Sequence, residues 1–461
     1  MKRFKLKSRL CIAAAAVTLV PSLLVVQSEA GASNKITLTM AYGATYVMIT
    51  PQDAKSWWGG IAKEFEAAHP NVTVNTVPIP GAFNDIVTKL ALDYRSASTA
   101  PTIAEIPSQV IGEFATSSFL LPLNKYVDAT SWWKGYPAVV QSEGTFSGTT
   151  YAVNQGENDN GLYYNKVMFK KAGIPVPWKP TNWAQVISAA QKIKKAVPGV
   201  SPLFVIGGTA GGANSVLLGV GNLLAGATTP TVYDTKTKKW VVNSPGLNEV
   251  YSFLHTLTKD GLNAPTSTLF NPNAPNLPPT LIQAGKVAIA LTGNYIGSSW
   301  VKQTCVPCFP NAPKEIGAVA LPKVDGSSGI DAASTLGGWD LAIAKSTPYP
   351  KLAGELLNMM QTQTNMVTAD NYGGWVPPVK SYDASPAYLN FAPPFQAVWG
   401  GILPASQLTP TEAAATDWDY GFEEATGDLI SNPNETVKQA AQVMESYVTQ
   451  QLGASNVESL K

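Results

Sequence analysis

An α/β protein in two lobes is the fold class the sequence predicts, on three observations. Strand-like and helix-like runs alternate in two successive series. The chain is too long for one hydrophobic core, which stops growing at about 250–300 residues. Its first 32 residues read as an export leader and not as part of the fold.

The first series opens with Ile36 to Met40 as a strand. Trp57, Ile61, Phe65 and Ala68 then recur at helical spacing, and Val72, Val74 and Val77 mark a second strand. Phe83, Ile86, Val87, Leu90 and Tyr94 line one side of another helix, and Thr102 to Ile106 is again extended. Strand, helix, strand, helix, strand requires a sheet with helices on its faces.

The second series begins near Tyr151. Leu162 to Tyr164 reads as a strand and Lys166 to Ala172 as a helix stopped by Gly173. Thr181 is the expected cap of a helix carrying Trp183, Val186, Ile187, Ala190 and Ile193. Leu203 to Ile206 is strand-like. Ser244-Pro245 starts a helix with Leu247, Val250, Tyr251, Leu254 and Leu257 on one side, ended by Gly261. Further strands are expected at Val287 to Leu291, Ile316 to Leu321 and Trp339 to Ile343. A C-terminal helix shows the stripe Val437, Ala440, Met444, Tyr447. The Pro/Asn-rich stretch Asn271 to Pro279 reads as a surface loop.

At the N-terminus, Lys2, Arg3, Lys5, Lys7 and Arg9 precede an apolar run from Leu10 to Val26. The run is short for a bilayer span, Pro21 interrupts it, and Ala30-Gly31-Ala32 offers a cleavage site, so a cleaved signal peptide is expected instead of an anchor. Cys11 opens the apolar run and follows no lipobox. Cleavage removes five basic residues and Glu29 from totals of 32 and 31, leaving a net charge of about −3. No polyanion partner, nucleic acid included, is implied. Charged residues are only 14% of the chain, against roughly 25% in a typical soluble protein, a surface suited to neutral polar ligands.

After cleavage only Cys305 and Cys308 remain, as C-V-P-C, and the two histidines, His69 and His255, are far apart in sequence. A zinc site wants a second ligand pair, and a thioredoxin-like site wants a strand-to-helix context that Gln303, Pro307 and Pro310 do not give. A disulfide in an oxidising compartment is the expectation. No cofactor motif is found.

Four segments resemble the family 1 extracellular solute-binding proteins, of which the maltose-binding protein is the best known. Phe65-Glu66-Ala67-Ala68-His69-Pro70-Asn71-Val72-Thr73-Val74 is similar to the family's helix-to-strand junction. Tyr151-Ala152-Val153, Gly161-Leu162-Tyr163-Tyr164-Asn165-Lys166 and Phe169 to Pro175 form the most specific match. Gly285 to Ile289 leads to Gly293-Asn294-Tyr295, and Gly337-Gly338-Trp339-Asp340-Leu341-Ala342-Ile343 is the fourth. Gly373-Gly374-Trp375-Val376-Pro377 resembles a short crossing segment.

The resemblance implies a two-lobed periplasmic-binding-protein-like fold of type II, with discontinuous lobes joined by a hinge. The lobes are expected over 33–152 with 321–373, and over 153–320 with 374–461. It implies a monomeric, exported protein, in the periplasm or outside the cell envelope. That protein captures a sugar or oligosaccharide in the cleft and hands it to the permease of an ABC importer.

A neutral sugar offers hydroxyls that donate and accept, and apolar C–H faces, so its site needs amides, carboxylates and flat rings. The run Asn154 to Gly161 reads as a loop dense in such groups. The resemblance points to Gln155, Glu157, Asn158 and Asn160 in it as ligand contacts, against the alternative of a solvated turn. Gly338 and Trp339 precede a strand, so the indole is expected to project into the cleft and stack on sugar, against the alternative of a core residue. Tyr295 resembles another aromatic contact, against the alternative of packing, and Trp375 and Trp399 are weaker candidates. Tyr42 and Tyr46 follow the first strand, where open α/β sheets bind ligands. Trp57, Trp58, Trp132, Trp133, Trp178, Trp183 and His69 read as packing residues.

Two other readings compete. A binding protein for a polyol phosphate, polyamine or oligopeptide needs charges at its site. A secreted carbohydrate-active enzyme needs two facing carboxylates, for which Glu157, Asp159 and Asp340 are the candidates, although nothing in the sequence pairs them. No G-x-S-x-G elbow or P-loop is present, and the turn Gly207 to Gly212 lacks the P-loop lysine.

Overall fold

Parallel pairing organises the first sheet, as the opening βαβαβ pattern requires. In the computed structural model, residues 35–45, 47–301, 305–326, 332–410, 412 and 414–461 are described. The leader over 1–32 and Tyr46 lie outside them. Strand Ile36–Gly43 pairs in parallel with Val72–Ile79 on one side and Ile103–Pro107 on the other. The antiparallel strand Thr335–Ile343 extends the sheet beyond Ile103–Pro107, and Ala152–Asn158 and Gln407–Leu408 share its far edge. Helix Pro51–Ala68 connects the first two strands, with Thr50 as cap and Trp57, Trp58, Ile61 and Phe65 buried. His69 closes that helix, its ring stacked on Phe65.

The second sheet has the order Ile316–Ala320, Asn160–Asn165, Val287–Gly293, Ser201–Phe204. Helix Trp183–Ala196 packs on it through Val186, Ala190 and Ile193. Its cap is Asn182, one residue later than expected: the Asn182 side chain accepts from the Gln185 N–H, while Thr181 bonds the Gln185 side-chain amide. Ser244 caps helix Pro245–Lys259 as its sequence predicts, and the stripe Leu247, Val250, Tyr251, Leu254 and Leu257 is buried. In the C-terminal helix Val437–Leu452 the buried stripe runs Ala440, Met444, Val448, with Tyr447 half-buried against Tyr420. The two sheets with their covering helices are the two lobes, within one compact unit from Ile36 to Lys461.

Three segments among the described residues link the two lobes. Strand Ala152–Asn158 remains in the first sheet to its end, so the first passage is at Asp159, several residues later than the expected lobe boundary. The second runs from Ala320 to Thr335, tied by a Leu321–Ala333 bridge. The third follows helix Gln363–Gly373, where the N–H groups of Glu157 and Val376 each donate to the other's carbonyl at 3.0 and 2.9 Å.

Candidate functional site

A cavity of about 280 Å³ opens where the two lobes face each other. The first lobe contributes Thr45, Val47, Met48 and Ile49 from the turn after the first strand, together with Phe83, Pro107 and Gln109. Gly338 and Trp339 come from the long antiparallel strand. The second lobe contributes Asn214, Leu217 and Leu218, then Asn276 and Pro279, then Tyr295, Ser299 and Val306. Asn158 ends the strand Ala152–Asn158, Gly373 ends the helix Gln363–Gly373, and Trp375 lies in the third passage. Among the described residues no lining side chain carries a charge.

Trp339 sits with its ring edge-on to Phe83, centroids 6.1 Å apart, so the two rings form one aromatic wall. Gly338 is required beside it: a Cβ there would lie 2.6 Å from the Gly156 carbonyl oxygen across the strand pair. The Tyr295 hydroxyl donates to the Pro275 carbonyl at 2.9 Å, which leaves the ring face as its contribution to the cavity. Trp375 is anchored at both ends, its N–H donating to Asp370 O at 2.8 Å and its carbonyl accepting from the Tyr388 hydroxyl at 3.0 Å. Leu217 and Leu218 lie in the π-helical turn Val216–Val220, held because the Leu217 carbonyl accepts from Thr335 Oγ1 and Asn222 Nδ2. The lip at Val306 is the loop closed by the Cys305–Cys308 disulfide, whose Cα atoms are 4.5 Å apart.

Of the residues singled out from sequence, Asn158, Tyr295, Gly338, Trp339 and Trp375 line this cavity together. Tyr42, Gln155, Glu157 and Asn160 do not. Tyr42 is part of the first strand and stacks on Trp58 in the core, 5.1 Å between centroids. The run expected to be a loop is two strands: the backbone of 152–158 completes its hydrogen bonds against Thr335–Ile343, and that of 160–165 against the second sheet. Packed between the lobes, the polar side chains of Asn154, Gln155, Glu157 and Asn160 are buried. Asn160 Nδ2 bonds Thr335, and its N–H donates to Ser334 Oγ. Trp399 packs against Tyr163 in the core. Trp57, Trp58, Trp132, Trp133, Trp178 and Trp183 are buried.

The carboxylates take an internal position as well. Glu157, Asp159 and Asp340 are buried and outside the cavity lining. Burial raises the pKa of all three, and Glu157 is pushed further by the neighbouring Glu143, Asp340 and Asp159. Asp159 reaches about 7 although Ser406 and Ser334 hydroxyls donate to it. These groups lie where the lobes join, and none of them lines the cavity.

Several lining residues carried no readable signal. Asn276 and Pro279 belong to the stretch expected to be a surface loop. It instead folds as a short turn, Ala274–Asn276, followed by helix Pro278–Gln283, with Ala274, Pro275, Pro278 and Pro279 buried. Asn214 follows the turn Gly207 to Gly212, whose glycine run is the one local hint of close backbone approach.

The sequence pattern of the family described as bacterial extracellular solute-binding protein matches residues 50–367. A binding protein of Brucella abortus is 25% identical over 379 residues, covering 82% of this chain and 83% of its own. The mannitol-binding protein of Pseudomonas aeruginosa is 25% identical over 341 residues, 72% of this chain and 73% of its own. Among solved structures, the sugar-binding protein MalE from Xanthomonas citri superposes with a TM-score of 0.74 at 18% identity, covering 90% of this chain and 96% of its own, and thus shares the two-lobed fold. The chain belongs to the bacterial extracellular solute-binding protein family.

Proposed function

We propose that this protein is the exported, monomeric receptor of an ABC importer, which captures a neutral carbohydrate or polyol between its lobes and presents it to membrane permease subunits. The observation that carries the ligand class is the lining itself: amides, hydroxyls, aromatic rings and aliphatic groups, with no charged side chain among the described residues. A phosphate ester or polyamine held there would lose its hydration and gain no counter-charge, a cost of several kcal/mol. A sugar or polyol gains hydrogen bonds from Gln109, Asn158, Asn214 and Asn276 and apolar contact from Trp339, Trp375 and Tyr295. At about 280 Å³ the cavity is at the small end for small-molecule sites, roughly 300 Å³ upward, which suits one or two sugar units.

Binding without turnover is part of this reading. The three carboxylates are buried and do not line the cavity, which supports binding without turnover. Among the described residues no helix is long and apolar enough to cross a membrane. The test is a thermal-shift panel of neutral sugars and polyols beside polyamines and sugar phosphates. Stabilisation confined to neutral members supports the proposal, and stabilisation only by charged solutes sinks it.

A further inference from the structure

The rings and amides account for a sugar, but not for the rest of the wall. Six aliphatic side chains, Val47, Met48, Ile49, Leu217, Leu218 and Val306, also line the cavity and come from both lobes. A sugar hydroxyl turned toward an aliphatic group loses water and gains no partner. A bare sugar spends its apolar C–H faces on the rings, and its rim of hydroxyls has nothing to set against that many aliphatic groups.

Val306 adds a second observation. Val47, Met48, Leu217 and Leu218 are each at most 8% exposed, whereas Val306 is 60% exposed. It is fixed at the lip by three restraints. Its N–H donates to the Ser299 carbonyl at 2.8 Å, Gln283 Nε2 donates to the Cys308 carbonyl at 2.7 Å, and the disulfide closes the loop. A covalently closed loop that holds an apolar side chain out at the mouth of a cavity presents surface for a ligand to cover. The described lining holds no charged side chain, which disfavours a charged amphiphile such as a fatty acid or acyl phosphate by the same desolvation rule.

We infer that the ligand is a neutral glycoside bearing an apolar substituent, its sugar against the rings and amides and its substituent against the aliphatic wall with Val306 over the outer end. This rests on the carbohydrate reading of the cleft. The experiment is calorimetry on the full-length protein with glucosides, galactosides and mannosides of both anomeric forms, each as the free sugar and as its methyl, butyl and hexyl glycosides below their micelle concentrations. The expected result is one series in which affinity rises about fourfold per added methylene. In Val306→Ser the rise flattens at the hexyl member, while the methyl glycoside stays within about twofold of wild type, a readout that a merely structural change would not produce.

A free sugar binding as tightly as its hexyl glycoside overturns the inference and leaves the carbohydrate reading standing. Hexanol matching the hexyl glycoside removes the sugar from the inference. An absence of binding across the panel overturns both.

Discussion

Trp339 places a rigid indole on the cavity at the end of two glycines, with Phe83 supporting its edge. Removing such a ring from a desolvated cleft costs about 2 to 4 kcal/mol, a loss in affinity of roughly 30-fold to 1,000-fold. Trp339→Ala is therefore expected to lose sugar binding while remaining folded; calorimetry showing affinity within threefold of wild type would return Trp339 to a packing role.

Asp159 makes a different prediction. Its pKa rises from the ordinary 3.8 to about 7 because burial removes water from its charge. Between those values the unfolded chain gives up the proton first, so stability falls as pH climbs from about 4 to 7 and is level above. Asp159→Asn keeps an acceptor for the Ser406 hydroxyl and cannot ionise. It should match wild type near pH 4 and exceed it at pH 8 by about 2 to 4 kcal/mol. Urea titrations showing the same difference at both pH values would contradict this account.

Single residues were readable where chemistry and local context agreed. Trp339, Tyr295 and Trp375 each follow one or two glycines or a Gly-Asn pair, and all three line the cavity. Tyr42 was misplaced because the first strand runs three residues further than its sequence suggests, to Gly43, and carries the ring into the core.

At the scale of elements, the amphipathic helices were legible because their apolar spacing and caps are local. The stretch Asn154 to Gly161 was not, although Leu162 to Tyr164 beside it reads as strand. Its polar, glycine-containing sequence has the composition of a turn, and only pairing with residues more than a hundred positions away makes it the end of strand Ala152–Asn158 and the start of Asn160–Asn165. The same strand meets the end of helix Gln363–Gly373 at Val376. Gly374, the left-handed cap of that helix at φ +73°, lies against Tyr295: a Cβ would stand 2.6 Å from the Tyr295 Cα. Gly374→Ala should cost about 1–2 kcal/mol from backbone conformation alone, more with the clash, and should also weaken ligand binding by moving Tyr295. Chemical denaturation within about 0.5 kcal/mol of wild type would show that the passage yields instead of resisting.

For the whole molecule, lining residues from both lobes mean that neither lobe completes the site alone. Ligand then favours the closed arrangement to the extent that it binds that form better; a shift from about 1% to 99% closed needs a preference near 10⁴-fold, or about 5.5 kcal/mol. Small-angle scattering should show the radius of gyration falling on saturation with sugar. An unchanged radius with an open cleft in the free protein would contradict a hinge. The passages at Asp159, at the Leu321–Ala333 bridge and at 374–376 are where the rotation is expected.

The central claim is that a neutral carbohydrate occupies the inter-lobe cavity, and a crystal structure with the stabilising sugar tests it most directly. The account predicts a sugar ring in contact with Trp339 and Trp375, its hydroxyls on Asn158, Asn214 and Asn276. A ligand seated instead in the separate cavity lined by Tyr233, Trp418 and Asp419 would contradict it.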